Sequence, residues 1–185
     1  MKLRTFISID LDKSEKIVDF ATVLRDAEPT LKLVDPSQIH ITLKFLGSTD
    51  EDLIPAIGEI MHDAVKGISP FTISLRSVGA FPSMNRIRVI WIGVNDILPL
   101  ATIAGRLDEK LADLGITRES RPFAPHITLA RARSDAPNPV LRQIIHDRKD
   151  VDFGTQEVKS IRLEQSILTR CGPEYVLLDE AAFTE

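Results

Sequence analysis

The chain has 185 residues, 43% of them hydrophobic and 27% charged, with a formal net charge of −4. That is ample apolar material for a compact core, and the charge argues against a broadly basic protein that tracks long nucleic-acid duplexes. A single cysteine, Cys171, excludes an internal disulfide and a cysteine-rich zinc site; apolar runs such as 89–94 fall far short of the roughly 20 residues that span a membrane, so a cytoplasmic protein outside the membrane is expected.

Residues 4–11 read as a strand. Asp12 then stands as an N-cap with Glu15 three residues on, opening a helix through Ile17, Phe20, Ala21 and Leu24 that stops before Pro29. A short extended piece, 31–34, leads through Asp35-Pro36 to a strand over 39–46 closed by Gly47. Leu53, Ile54, Ile57, Ile60, Met61 and Ala64 predict a second helix with Gly67 at its C-cap. Strands over 71–81 and 86–94 follow, with Pro82-Ser83-Met84-Asn85 as a hairpin loop. Leu100, Ile103, Ala104, Leu107, Leu111 and Leu114 mark a third helix ending at Gly115. The strand over 123–133 arrives behind Pro122 and Pro125, which stiffen its approach. Asn138-Pro139 opens a short fourth helix carrying Leu141, Ile144 and Ile145. Two last strands, 158–168 and 175–178, flank the turn Cys171-Gly172-Pro173. Strand pairs joined by short turns favour antiparallel pairing, hence an α+β fold rather than a doubly wound parallel sheet.

Two of these strands carry the same four letters, His-Ile-Thr-Leu, at 40–43 and at 126–129. Alternation puts His40 and Thr42 on one strand face, and likewise His126 and Thr128, while Ile41, Leu43, Ile127 and Leu129 point to a core. The histidines stand 86 positions apart (126 minus 40), and near residue 95 the order of helix, His strand, helix and strand pair begins again. We therefore expect residues 1–185 to form a bilobal, pseudo-symmetric α+β domain. Antiparallel or mixed sheets would line a central cleft, with the helices outside.

Two imidazoles converging on one cleft supply a general base and a general acid near neutral pH, because the unperturbed pKa is about 6.5. The threonine hydroxyls can donate to non-bridging phosphate oxygens without adding charge. One neutral histidine would take a proton from attacking water while its protonated counterpart serves the leaving oxygen, an arrangement suited to in-line phosphoryl transfer. A single copy is adequately explained as a strand histidine beside a β-branched residue; two identical copies point to chemistry. His62, beside an apolar helix position, and His146, next to Asp147, read as surface helix residues. Cys171 reads as structural. Arg118, Arg121 and Arg133 could add phosphate affinity but have solvated surface as their rival reading. No glycine-rich phosphate loop and no metal-ligand spacing occurs, so neither a metal nor a cofactor is expected.

The segments 6–11 (Phe-Ile-Ser-Ile-Asp-Leu), 40–47 (His-Ile-Thr-Leu-Lys-Phe-Leu-Gly), 79–82 (Gly-Ala-Phe-Pro) and 121–131 (Arg-Pro-Phe-Ala-Pro-His-Ile-Thr-Leu-Ala-Arg) resemble the RNA 2′,3′-cyclic phosphodiesterases. These were formerly called 2′-5′ RNA ligases and belong to the 2H phosphoesterase superfamily. The resemblance implies metal-independent opening of a 2′,3′-cyclic phosphate, on an RNA end or a small nucleotide, to a 2′-phosphomonoester. It implies that His40 protonates the departing 3′ oxygen, that His126 activates water, and that Thr42 and Thr128 hold the phosphate oxygens. Five residues after each histidine stand Phe45 and Arg131, which the family pattern puts near the terminal nucleotide. Plain alternation would turn both to the opposite face, so contact needs a bulge or a twist, and core packing is the rival reading for Phe45. A monomer is expected. The alternatives are ligation of tRNA halves through a 2′-5′ bond, and a non-catalytic module that binds RNA ends or nucleotides.

Overall fold

The computed structural model describes residues 1–134, 136–170 and 172–184. Cys171 lies outside the described residues. The elements in chain order are β1 (Lys2–Asp10), α1 (Glu15–Ala27), β2 (Lys32–Leu33), β3 (His40–Asp50), α2 (Ile54–Ala64), β4 (Phe71–Ser83), β5 (Arg86–Asn95), α3 (Leu98–Leu111), β6 (His126–Arg131), α4 (Pro139–Asp147), β7 (Asp152–Val158), β8 (Ser160–Thr169) and β9 (Gly172–Ala182). The strands form one curled sheet in the order β7-β4-β5-β6-β3-β1-β8-β9, with β2 pairing beside β3 onto β6. Every pairing is antiparallel. The class is α+β, as the short connections require.

One face of each strand and one stripe of each helix make the core. Ile7, Ile9, Ile41, Ile73, Leu75, Ile90, Ile92, Ile127, Ile161 and Leu163 are buried on the sheet. They meet Ile17, Phe20 and Leu24 of α1, Ile57 and Met61 of α2, Leu100, Ile103, Leu107 and Leu111 of α3, and Leu141 and Ile145 of α4. Each such side chain withdrawn from water contributes about 1.5–3 kcal/mol before the entropy of ordering is subtracted. None of these helices is long and apolar enough to cross a membrane.

An offset of 86 positions carries β1 onto β5, α1 onto α3, β3 onto β6, α2 onto α4, β4 onto β8 and β5 onto β9. The sheet does not keep those repeats apart. β1 pairs with β8, and its equivalent β5 pairs with β4, so each half-sheet is assembled from strands of both repeats. One half is β3-β1-β8-β9, and the other is β6-β5-β4-β7.

Three local expectations need correction. The residue preceding α1 is Ser14, whose side chain makes no capping bond, while the Asp12 backbone N–H donates to Gln156 Oε1 at 3.0 Å. Gly47 does not close β3. It sits within the strand at φ +74°, where the register against β1 shifts, and pairing continues to Asp50. β7 was missed because only Phe153 and Val158 of its seven residues are buried, so this edge strand has no apolar alternation to read.

Candidate active site

β3 and β6 lie side by side at the centre of the sheet but pair at a single point, Ile41 opposite Ile127. These are the residues that follow the two histidines, so the local two-fold axis passes between the two motifs. Extending the antiparallel register by one residue each way levels His40 with Thr128 and Thr42 with His126. All four then share one face, with the two histidines on a diagonal across the seam. They are half-buried, whereas Ile41, Leu43, Ile127 and Leu129 are buried on the helix side.

The two rings are held alike. His40 Nδ1 lies 2.8 Å from the Gln38 carbonyl and His126 Nδ1 lies 2.9 Å from the Ala124 carbonyl. A carbonyl oxygen can only accept, so Nδ1 carries the hydrogen in both rings. Nε2 is left as the nitrogen that can exchange a proton with a ligand, a base when bare and an acid when protonated. The Thr42 and Thr128 hydroxyls have no hydrogen-bond partner among the described residues. They are open to an incoming oxyanion.

The parity objection to Phe45 and Arg131 is resolved by a matched pair of bulges. On β3, Thr42 pairs with Ser8 and Lys44 with Ile7, leaving Leu43 as the extra residue. On β6, Thr128 pairs with Trp91 and Ala130 with Ile90, leaving Leu129 extra. Each bulge turns the strand by one residue, so Phe45 and Arg131 return to the histidine face. Phe45 is 62% exposed, which rules out core packing, and its ring centroid is 6.2 Å from that of Phe6. Arg131 is exposed, and its charge reaches Tyr175 in the other half-sheet.

The surroundings of the two histidines differ. His40 opens on a cavity of about 280 Å³ lined by Asp10, Ser37, Gln38, Arg162, Glu164 and Tyr175. Phe6 and Tyr175 pack on its ring at centroid distances of 5.2 and 5.4 Å. Arg162 is shared between Asp10 and Glu180. Glu164 accepts a hydrogen bond from Ser8 Oγ at 3.0 Å. Burial pushes the Glu164 carboxyl above the usual carboxylate range, against that hydrogen bond and the His40 charge, with Asp10 adding to the rise and Arg162 opposing it. Burial, and then the Glu164 charge, also raise the Tyr175 phenol. His126 also meets an aromatic ring: Phe81 stands edge-on to it at 5.0 Å and packs on Trp91 at 5.3 Å. Trp91 lies flat over Gly79, where a β-carbon would collide with the indole. Its Nε1–H is buried without a partner among the described residues.

His62 and His146 lie exposed on α2 and α4, and Arg118, Arg121 and Arg133 are exposed, as surface readings require. The sequence reading missed Asp10, Arg162, Glu164, Tyr175, Phe6 and Trp91. A local signal existed for some of them: the alternating Phe6-x-Ser8-x-Asp10 and Arg162-x-Glu164 put polar groups on strands whose other face is apolar. Among the described residues no group of three or more His, Cys, Asp or Glu side chains converges as metal ligands do.

The sequence matches the family model of the 2′-5′ RNA ligase superfamily over residues 13–166. It is 38% identical over 180 residues to an RNA 2′,3′-cyclic phosphodiesterase of Methanocaldococcus jannaschii, covering 96% of this chain and 99% of that one. It is 32% identical over 177 residues to an RNA 2′,3′-cyclic phosphodiesterase of Methanothermobacter thermautotrophicus, covering 95% and 96%. Among solved structures, TT0787 of Thermus thermophilus superposes with a TM-score of 0.80 at 28% identity, covering 97% of both chains. Escherichia coli LigT complexed with 3′-AMP gives 0.77 at 26% identity over the full length of both.

Proposed function

Because this chain belongs to the 2′-5′ RNA ligase superfamily, we propose that it is a 2′,3′-cyclic phosphodiesterase acting on RNA ends or small nucleotides, with His40 and His126 as acid and base. The observation that carries the reading is the common face of the two His-x-Thr strands, each with its Nδ1 tied to a backbone carbonyl and its Nε2 without a hydrogen-bond partner among the described residues. A cyclic phosphate resting between the strands receives hydrogen bonds from Thr42 and Thr128 on its non-bridging oxygens. His126 Nε2 removes a proton from water as the new P–O bond forms. His40 Nε2–H gives its proton to the 3′ oxygen as the P–O3′ bond breaks, leaving a 2′-phosphomonoester. The arrangement suits in-line displacement, since a phosphorus set between the two strands would have the acid on one side and the base on the other. The two rings need opposite protonation states, so the rate passes through a maximum as pH is varied. The relative from Escherichia coli was crystallised with 3′-AMP, consistent with a nucleotide filling the cleft, where Phe45 and Arg131 flank the terminal base.

The test is incubation with an oligoribonucleotide ending in a 2′,3′-cyclic phosphate, in excess EDTA, followed by identification of the terminal phosphate. A 2′-monoester is expected. Unchanged substrate overturns the reading, and activity lost only with chelator overturns the metal-free route. His40→Ala and His126→Ala are each expected to lower kcat by about 10²–10⁴-fold, with circular dichroism reporting that the fold survives.

A further inference from the structure

A seam one residue pair wide leaves open what else holds the two motif strands in place. The repeat offset supplies the comparison. Ahead of the first motif, the arm at β2 crosses to the second motif strand, where Leu33 pairs with Ala130 and Lys32 with Arg131 at the bulge, and Val34 N–H donates to the Leu129 carbonyl at 2.8 Å. Moved by 86 positions, Leu33 becomes Glu119 and Ala130 becomes Lys44. The corresponding arm, 117–119, has no strand structure. In place of a ladder there is a buried ammonium. The Lys44 side chain, 1% exposed, donates to Asp108 Oδ1 of α3 at 2.6 Å and to the Thr117 carbonyl at 2.7 Å, and lies 3.6 Å from Glu119 Oε1. Asp108 Oδ1 also accepts the Glu119 backbone N–H at 2.9 Å. Lys44 faces the helices only because Leu43 is bulged, so the device that returns Phe45 to the cleft also sends Lys44 to the other side.

We infer that Lys44 is a positioning residue for His126, acting as a clamp that fixes the arm leading into the second motif onto the strand of the first. The arm runs from the clamped Thr117 and Glu119 through Pro122 to Ala124, whose carbonyl orients the His126 ring, and Pro125 joins Ala124 to His126. Two prolines shorten the list of conformations this stretch can adopt, so fixing one end transmits to the other. Displacement of a reacting group by about 1 Å can cost about 10²-fold in rate. Lys44 is buried on the helix side of the sheet, opposite the face that carries the histidines. The inference rests on the proposed function for its rate readout alone.

Lys44→Met in the full chain tests it by hydrolysis of 2′,3′-cyclic AMP, hydrogen–deuterium exchange and ring NMR signals of the histidines. We expect kcat to fall about 10–100-fold with KM within about threefold, faster amide exchange across 116–125, and a moved His126 signal beside an unmoved His40 signal. Should that variant not fold, Asp108→Asn with Glu119→Ala removes both carboxylates of the clamp at less buried positions, and the same three changes are expected. A folded variant with wild-type exchange in 116–125, or one that loses activity with the His126 signal unmoved, overturns the inference. Exchange and NMR need no turnover, so failure of the wild type to open cyclic phosphates removes the proposed function and still leaves the clamp to be judged.

Discussion

Glu164 is a half-buried carboxylate that accepts from Ser8 and shares a cavity with His40, while Arg162 beside it is occupied by Asp10 and Glu180. Its carboxyl is raised chiefly by burial, and the sign of the consequence follows. A raised carboxyl binds a proton more readily in the folded chain than in the unfolded one, so folding loses stability as pH climbs through the unfolded value, about 4.3, to the folded one. Glu164→Gln keeps an acceptor for Ser8 and removes the charge. Thermal unfolding should show the variant more stable than the wild type at neutral pH, the difference closing below about pH 4; an equal or lower midpoint at neutral pH contradicts the argument. The two histidines and threonines were legible because an identical tetrapeptide recurs on strands. The alternation at Arg162-x-Glu164 marks a polar strand face, but nothing local assigns Glu164 or Tyr175 to His40, because they reach it only through the pairing of β1 with β8 and β8 with β9, and no local pattern announces which strands become neighbours.

At the scale of elements, the bulges at Leu43 and Leu129 are what strict alternation could not foresee. An extra residue reverses the face of everything beyond it. The two-residue period therefore holds for His40 and Thr42 and fails for Phe45. Helix starts were readable where the side chain does the capping. Asn138 accepts the Leu141 backbone N–H at 3.0 Å, and its Nδ2 donates to Glu28 at 2.8 Å, linking α4 to the end of α1. Ser14 before α1 caps nothing with its side chain. Asn138→Ala is accordingly expected to cost about 1 kcal/mol or somewhat more, whereas Ser14→Ala stays within about 0.5 kcal/mol. Denaturant titration of the pair measures the contrast, and equal losses would show that the cap is not what Asn138 supplies.

Over the whole molecule, the interleaving of repeats gives each histidine walls drawn from distant parts of the chain. A repeat in the sequence predicted two like lobes, but could not reveal that their strands are exchanged, because exchange conserves every local pattern. The Lys44 clamp ties the halves in addition to the Ile41–Ile127 pair and the β2 ladder, and its acid partner has a definite pH behaviour. Burial pushes the Asp108 carboxyl up, but the hydrogen bonds from Lys44 and the Glu119 N–H, with the Lys44 and Arg118 charges, hold it below the usual range. A depressed carboxyl stabilises the fold fully above its unfolded value, about 3.9, and ceases to do so as pH falls through the folded one. Pepsin applied at successive steps from about pH 4 to about pH 2 should cut first within 115–125; first cuts elsewhere would place the weakest point outside the clamp. The strand order also bears on birth of the protein at the ribosome. By Val158 both histidines have been synthesised and β4 to β7 can close on themselves, yet β1 waits for β8, and the Glu164 and Tyr175 wall does not exist. The wall beside His40 thus forms only once β8 and β9 have been translated, and the nascent chain carries an unfinished sheet edge until then.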